Sequence, residues 1–504
     1  MVKIETEQNI EVLRQVARLL WRENEALHER IRKLTAEKLK LQGADAQVLQ
    51  MEIDQLQELL ARREREIFGA SSEKRPRPSS ETASEPAVPS GHGPREQKQL
   101  PVVEAVHELP EAERSCPQCG HQMVEMGEQS EDYEEITVVQ RSFQLVRHRR
   151  RKYRCQCNAS VVTAPGPARL LAGGRYSAQL AVEVAISKYL DHAPLERQVR
   201  IMAREGLTVT SQTLWDQIEA LACHLDASYK ALHPRVLGSP VVHADETHWR
   251  LMGPEAPGKE TSRWWVWCVA SEEAIFYRLL GSRSTKAAQS VLSGYRGIVL
   301  CDGYGAYESL ARAGPEMTLA RCWAHARRKF IEIEPEYPQA CGSILQLISK
   351  LYAVEREVPR LGFPEAQEPL AMRAKLREER SRALVAQIYA CAEDLRGKSL
   401  PRSALGRATE YLLGMWKGLT RFLENPRIPL DNNAAERALR GIVVGRKNHY
   451  GSRSKRGTEV AALFYSLCET AKLAGVEPRS YLLEATHAAL RRPGTITLPH
   501  DLRN

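Results

Sequence analysis

The chain has 504 residues, which is more than one domain normally holds. Lysine and arginine outnumber aspartate and glutamate by 72 to 63, so the net charge is +9; this modest excess indicates a nucleic acid partner only where it is clustered. The apolar run Trp264–Ala270 is far too short to cross a bilayer, and no targeting segment is visible. Eleven cysteines, mostly scattered singly, predict a reducing, cytosolic setting rather than a disulfide scaffold.

Residues 1–68 carry a heptad repeat. Leucine, or once valine, recurs at every seventh residue, as at position d of a coiled coil. The residue three positions before each of them, at position a, is often apolar. The d positions are Leu13, Leu20, Leu27, Leu34, Leu41 and Val48. Asn24, at an a position, would fix the register of a dimer. We expect a dimerising coiled coil; the alternative is an amphipathic helix that packs on its own chain.

A linker rich in serine, proline and charge, residues 69–105, is predicted to be disordered and leads into a cysteine-containing module, residues 106–165. The first two cysteines have the spacing of a zinc knuckle, and a second pair completes a zinc-ribbon-like set of four ligands. These ligands are Cys116, Cys119, Cys155 and Cys157. The second pair is C-x-C, whose two sulfurs lie closer together than those of C-x-x-C. Two alternatives therefore stand beside the four-cysteine site: His148 replaces one cysteine as a ligand, or the module is a remnant that binds no metal.

Residues 133–153 alternate in polarity and predict two or three strands in this module. The densest basic run of the chain begins near the end of that segment. Its cations are Arg147, Arg149, Arg150, Arg151, Lys152 and Arg154. Such a run beside a zinc knuckle predicts contact with DNA phosphates, and the alternative is a solvated strand face.

Residues 166–235 are predicted to be helical. A helix over 176–191 and a second over 195–205, closed by Gly206, precede a third that opens on Ser-Gln-Thr. This is the layout of a helix-turn-helix, although an ordinary helical hairpin shares it. In the first interpretation the residues that read base edges are Ser211, Gln212 and Thr213.

Residues 236–334 predict the first part of an α/β core. A strand runs into Asp245, two more strands follow, then a helix over 284–292, and finally a strand over 297–303 that ends in Asp302. This order is that of a ribonuclease H-like fold, in which the first and fourth strands are neighbours. We therefore expect the two aspartates to lie together, and two such carboxylates need a cation between them.

A later helix would supply a third carboxylate. Asn432 or Asn433 would cap a short helix that Gly441 ends, with Glu436 in its first turn. Asn433-x-x-Glu436 also fits a capping box, which is the plain alternative for Glu436. Three carboxylates suit a two-metal site for Mg²⁺ or Mn²⁺ that transfers phosphoryl groups. Cations nearby that would contact a polyanion are Arg440, Arg446 and Lys447.

Residues 335–428 predict a helical insertion, and residues 429–504 predict the remainder of the core. A basic helix just before the insertion carries Cys322-x-x-His325, half of a possible metal site with no second pair nearby in the sequence. We expect His325 and Arg328 to face the substrate phosphate or the carboxylates, a packed histidine being the alternative. Trp416 is expected in the core.

Seven stretches, in order over nearly the whole chain, resemble the DDE transposases of the bacterial insertion sequence sixty-six family. They are IFGASSEKR (67–75), CPQCG (116–120), SPVVHADETHWR (239–250), LCDGYGAY (300–307), RCWAHARRKF (321–330), LDNNAAERALRGIVVGRKN (430–448) and YSLCETAKLAGVEP (465–478). The resemblance implies a multidomain α+β protein: a ribonuclease H-like core with a helical insertion, preceded by a coiled coil, a zinc-ribbon-like module and a helix-turn-helix region.

The resemblance also implies that Asp245, Asp302 and Glu436 form the metal-binding triad of a cut-and-join transposase, acting on element ends and target DNA. It implies a homo-oligomer, accessory proteins encoded by the same element, and a cytoplasmic, nucleoid-associated location. In the family the second cysteine pair is more often C-x-x-C. The alternatives are a catalytically silent, transposase-derived repressor and a plain nuclease, which would need no coiled coil.

Overall fold

The structure is a computed structural model. It describes residues 141–154, 160–253, 261–314, 317–358 and 367–502, with residues 25–35 and some isolated positions before residue 141. The chain divides into two compact units, Gly69–Arg141 and the remaining residues. In the first unit, Pro117 and Gln118 lie in an exposed turn between the first two predicted zinc ligands. The four cysteines themselves, like most of the linker and the heptads, lie outside the described residues.

Residues 25–35 are helical, as the heptad pattern predicts. Leu34 and Ile53 are 1% and 4% exposed in the single chain, so the chain itself covers both side chains. For these two residues the burial favours the alternative, a helix that packs on its own chain. In the part of the chain that the structure describes, no helix is both long enough and apolar enough to span a membrane.

The basic run is exposed and mostly irregular. Only its last residues form a strand, β1 (Lys152–Arg154), which pairs antiparallel with β2 (Val161–Thr163). The prediction of two or three strands was wrong for residues 141–151, which are described and contain none. Only Phe143 of this segment packs against the core, whereas Leu145 and Val146 are exposed. The segment therefore buries no continuous face, and burial of one face is what stabilises a short strand.

Three helices follow: α1 (Ala178–Tyr189), α2 (Leu195–Arg204) and α3 (Ser211–Leu237). Gly206, with φ of +86°, turns the chain after α2, and the Thr210 side chain caps α3 by accepting the Thr213 N–H. Helix α3 is 27 residues long and continues onto the central sheet, where the Tyr229 hydroxyl donates to the carbonyl of Tyr277 at 2.9 Å. The third helix therefore shares the hydrophobic core of the central sheet.

The central sheet has five strands in the order β5-β4-β3-β6-β7. The strands are β3 (Val241–Met252), β4 (Thr261–Ala270), β5 (Ile275–Leu280), β6 (Ile298–Cys301) and β7 (Thr318–Arg321). Strands β3, β4 and β5 form an antiparallel meander, and β6 and β7 run parallel to β3. The first and fourth strands of this sheet are neighbours, which confirms that prediction.

Within the described residues, eleven further α-helices surround the sheet and build the insertion. They are α4 (Thr285–Leu292), α5 (Gly305–Ala313), α6 (Trp323–Ile333), α7 (Pro338–Arg356), α8 (Gln367–Leu376), α9 (Arg382–Gly397), α10 (Ala404–Gly414), α11 (Trp416–Thr420), α12 (Asn433–His449), α13 (Lys455–Leu473) and α14 (Pro478–Arg491). One π-helical turn, Arg377–Ser381, joins α8 to α9.

The described side chains pack into two hydrophobic clusters. The larger lies between the sheet and helices α1, α3, α12, α13 and α14. The smaller unites α6 with the insertion helices α7, α9 and α10. Trp416 is half-buried against Trp323 in this second cluster, with ring centroids 6.0 Å apart, as expected of a core residue. The predicted insertion is thus built around α6, the helix that carries His325.

Helix α12 is longer than predicted, because Gly441 does not end it. Ala435, Ala438, Leu439 and Ile442 are all buried, and Gly445 continues the same face. That face maintains a helical period through both glycines, so packing outweighs their low helix propensity. Arg446 and Lys447 consequently lie in the last turn of α12 rather than beyond it.

Candidate active site

Two predicted aspartates lie on neighbouring parallel strands. Asp245 is the fifth residue of β3, and Asp302 directly follows β6, whose residue Leu300 is in register with His243. The Tyr304 N–H donates to Asp302 Oδ1 at 2.9 Å, which fixes the carboxylate at the turn between β6 and α5. The carboxyl end of β6 thus places Asp302 beside the middle of β3.

Asn432 attaches α12 to the same strand. This side chain is fully buried; its Nδ2 donates to the carbonyl of Ala244 at 2.9 Å, and its Oδ1 lies 3.0 Å from Nδ1 of His243. Burial lowers the pKa of His243 to about 4, so the neutral ring donates to Asn432. Because Asn432 immediately precedes α12, these bonds hold the first turn of the helix, and hence Glu436, against the aspartates.

The charges of the three acids interact. Burial, together with the neighbouring charges of Glu246, Asp302 and Glu436, raises the pKa of Asp245 to about 7. Like charges at close range disfavour the ionised form of each. The structure therefore brings the predicted triad together in one half-buried site.

The capping-box alternative for Glu436 was wrong. It requires Asn433 as N-cap, but Asn433 is the first helical residue and Asn432 is the cap. Asn432 uses its side chain on β3 and makes no side-chain capping bond. Oxygen Oε1 of Glu436 is inaccessible to solvent and has no hydrogen-bond partner. This oxygen is therefore available to bind a ligand within the site.

His325 lies beside Glu436. Its Nδ1 is 3.8 Å from Glu436 Oε1, and this nitrogen is also buried without a hydrogen-bond partner. Cys322 completes the group, because its Sγ and one ligand atom of each of the other two residues lie within 4.8 Å of one another. The expectation that His325 faces the carboxylates therefore agrees with its position. The third member was not apparent from the sequence because Glu436 is 111 residues further along the chain than His325.

Glu246 is a second acidic residue next to Asp245, and it was not singled out from the sequence. Successive strand residues point to opposite faces, and its side chain is fully buried on the other side. Arg283 Nε donates to Glu246 Oε1 at 2.8 Å, and the Tyr307 hydroxyl donates to Oε2 at 2.6 Å. The Arg283 guanidinium lies over the Tyr304 ring, 3.8 Å from its centroid, which joins this pair to the turn that carries Asp302.

Arg321 holds the same turn from the other side. It is almost fully buried, donates to the carbonyl of Asp302, and pairs with Glu308 at 2.8 Å. Tyr411, from insertion helix α10, also reaches this turn: a Cβ at Gly303 would lie 3.1 Å from its ring. A side chain at position 303 would therefore require the Tyr411 ring to shift by a few tenths of an ångström.

The remaining predicted contacts are distributed around the site. Arg328, Arg440 and Lys447 are exposed on α6 and α12. Arg446 is half-buried, and its guanidinium donates to Thr247 Oγ1 at 3.2 Å and to the carbonyl of His248. It therefore ties α12 to β3.

The first turn of α3 holds the residues predicted to read bases. Gln212 is exposed and bonded to Asp216 at 2.8 Å, whereas Ser211 and Thr213 are partly buried. The basic run Arg147–Arg154 is exposed, and Nε of Arg150 within it donates to the carbonyl of Ala164 at 2.6 Å. The structure leaves most of these side chains accessible to a partner.

Comparison with known proteins identifies the family. A sequence model described as "Transposase IS66 family" matches residues 173–460, more than half of the chain. The chain belongs to the IS66 family of transposases. A second model, the "zinc-finger binding domain of transposase IS66", matches residues 113–158, which include all four predicted zinc ligands.

Two similar proteins come from Sinorhizobium fredii (strain NBRC 101917 / NGR234). Uncharacterized protein y4jD is 30% identical over 414 residues, which cover 79% of this chain and 79% of the relative. Uncharacterized protein y4qI is 32% identical over 396 residues, which cover 75% of this chain and 71% of the relative. The similarity to these two proteins therefore covers about three quarters of this chain or more.

Proposed function

We propose that this IS66 family protein is an active DDE transposase, which cleaves DNA at the ends of its element and joins them to target DNA. One observation carries the proposal: Asp245, Asp302 and Glu436, far apart in the sequence, are close enough in the fold to raise the pKa of Asp245. The core that holds them is proposed to be ribonuclease H-like, since an antiparallel meander beside two parallel strands has that strand order.

The donor set fits a hard divalent cation. Carboxylate oxygens are the ligands that Mg²⁺ and Mn²⁺ prefer, and Glu436 presents a buried oxygen that accepts no hydrogen bond. Asp245, Asp302 and Glu436 would hold the metal. When bound, two such ions activate the attacking oxygen and stabilise the leaving oxygen of an in-line phosphoryl displacement.

The proposed chemistry has two steps. Water attacks a phosphodiester at the element end, the phosphorus–O3′ bond breaks, and a 3′-hydroxyl is released. That hydroxyl then attacks a target phosphodiester, and the target strand leaves with its own 3′-hydroxyl. We assign to His325 the role of orienting Glu436, since the two side chains lie 3.8 Å apart. Arg328, exposed one helical turn further along α6, would bind a DNA phosphate.

DNA binding is proposed for the exposed cations. The run Arg147–Arg154 would contact phosphates, which fix the position of a duplex without reading its sequence. Arg440 and Lys447 follow Glu436 on α12 and would hold the strand beside the triad. The first turn of α3 would read base edges, with Gln212 its exposed member.

The amino-terminal third of the chain is proposed to assemble the complex. Cys116, Cys119, Cys155 and Cys157 would hold one structural zinc ion in the zinc-finger region, and the heptads would join two or more chains. Synapsis of two element ends requires a protein oligomer, which a plain nuclease would not need. Accessory proteins of the same element are further expected partners.

The experiment that tests this function is strand cleavage and strand transfer on a labelled element-end duplex, with Mg²⁺, Mn²⁺ or chelator. Metal-dependent products are expected from the wild-type protein and from Glu484→Gln, which removes the same charge at an exposed position of α14. Glu436→Gln should lower product formation at least a hundredfold, with end-DNA binding within a few-fold of wild type. Tight binding with no product under any metal, even with the accessory proteins, would favour the silent repressor.

A further inference from the structure

Three side chains of different chemistry converge beside the proposed triad. The sulfur of Cys322, a ring nitrogen of His325 and a carboxylate oxygen of Glu436 lie within 4.8 Å of one another. His325 Nδ1 and Glu436 Oε1 are 3.8 Å apart, and both atoms are sealed from solvent without a hydrogen-bond partner. A buried polar atom without a partner needs an explanation, and here two such atoms from different helices face each other at a distance that one ion can span.

The backbone holds these donors in place from two helices. Cys322 is the N-cap of α6, and His325 lies in the first turn of that helix. Glu436 lies in the first turn of α12, and the N–H of Asn432, the cap of α12, donates to Cys322 Sγ at 3.1 Å. Both helices therefore begin at the cluster, where their N-termini favour an anionic group such as the Glu436 carboxylate.

The donor set differs in kind from the neighbouring aspartates. One sulfur, one imidazole nitrogen and one carboxylate oxygen suit Zn²⁺, whereas Mg²⁺ prefers oxygen ligands alone. Zinc bonds nitrogen and oxygen at about 2.0–2.2 Å, so a single ion fits between His325 Nδ1 and Glu436 Oε1 at their present separation. Three protein ligands leave one tetrahedral position for water or a DNA phosphate.

We propose that Cys322, His325 and Glu436 form a zinc site that competes with the catalytic site for Glu436. Zinc binding releases the thiol proton of Cys322 to solvent and occupies the carboxylate that the triad requires. A rise in free zinc therefore switches off DNA cleavage while DNA binding persists. The inhibitory effect rests on the proposed function, but the zinc site itself does not.

The binding test uses the full-length protein without DNA, with its zinc-finger region already loaded. Zinc uptake is measured by equilibrium dialysis, and Co²⁺ is used as a spectroscopic probe for thiolate coordination. Wild type should bind one more equivalent of zinc than Cys322→Ser and show one more cobalt–thiolate band. Serine keeps an acceptor for the Asn432 N–H and is a good N-cap, so this variant should fold. Cys391→Ser, a half-buried cysteine on α9, is the matched control and should behave as wild type.

The activity test adds zinc to cleavage reactions that contain excess Mg²⁺. The zinc concentration that halves cleavage should be at least tenfold higher for Cys322→Ser than for wild type and Cys391→Ser. Cys322→Ala, with an unchanged thermal midpoint, should repeat the result. Equal zinc uptake and equal inhibition in all variants would overturn the proposal. Absence of cleavage in every protein would instead count against the transposase function, and the dialysis result would still decide the zinc site.

Discussion

At the scale of single residues, the site depends on carboxylates placed in opposite environments. Asp245 and Glu246 are adjacent in β3, yet one belongs to the proposed triad and the other is buried in an ion pair on the opposite face. The ion pair between Glu246 and Arg283 is tied to Asp302 through Tyr304. Glu246 therefore positions the site without belonging to the triad.

The Glu246–Arg283 pair can be tested with a double-mutant cycle. Arg283→Met leaves a fully buried carboxylate without its cation, and we expect a loss of about 3 kcal/mol in the free energy of unfolding. The double variant Glu246→Gln/Arg283→Met removes both charges and should recover more than half of that loss. Urea denaturation of the two single variants and the double variant measures the coupling. If the two single effects simply add, the pair does not act as a unit.

A second residue-scale prediction concerns His449. Burial lowers the pKa of His449 to about 4, from 6.5 in the unfolded chain. The unfolded chain therefore binds the proton first, so the stability that neutral His449 contributes is fully present above pH 6.5 and is lost as the pH falls from 6.5 to 4. His449→Gln, which stays neutral, should reduce this fall by about 2–3 kcal/mol. Urea denaturation at pH 6.5 and pH 4.5 checks it, and parallel losses in both proteins would contradict the assignment.

At the scale of elements, α12 shows where sequence patterns are decisive and where they are not. The apolar run before Asp302 and the strand before Asp245 were both located from local patterns, because a buried strand has a short, self-contained signature. The length of α12 could not be predicted in this way. A glycine indicates the end of a helix only where packing against neighbouring elements does not stabilise the helix beyond it. The fold places Gly445 against Tyr465, and this contact depends on residues 20 positions apart.

The two glycines of α12 make a matched pair for substitution. A Cβ at Gly445 would clash with the hydroxyl of the buried Tyr465 and lie 3.0 Å from His449 Nε2. A Cβ at Gly441 would meet only ordinary contacts, the nearest being Glu469 Oε1 at 3.6 Å. We expect Gly445→Ala to destabilise the protein by about 1–3 kcal/mol through overpacking. Gly441→Ala should instead stabilise it by about 0.5–1 kcal/mol through helix propensity. Thermal denaturation distinguishes them, and a shift of the same sign in both variants would refute the packing argument.

At the scale of the whole molecule, the order of the motifs in the sequence predicted which strands carry the site. It did not predict the individual side-chain contacts within the site. Strand order follows from connection rules, so neighbouring strands for Asp245 and Asp302 could be inferred. The contact of His325 with Glu436 could not, because it depends on how α6 and α12 meet after an insertion of about ninety residues. The function of Asn432 was likewise hidden, since asparagine before a helix is expected to cap it rather than to bond a strand.

The heptad repeat of residues 1–68 predicts a contact between two copies of the chain. Leu34 is covered by its own chain, whereas Leu27 and Ile31 on the same helix remain partly exposed and available to a second copy. We expect Leu13→Asp/Leu20→Asp, at two d positions of the heptad, to lower the molar mass in solution from that of an oligomer to that of one chain. Light scattering after size exclusion measures this. Gln15→Asp/Arg22→Asp, at positions outside the seam, should leave the mass unchanged. A mass unaffected by the leucine substitutions, with a lowered thermal midpoint, would mean that the heptads stabilise a single chain, and synapsis of two ends would then require another interface.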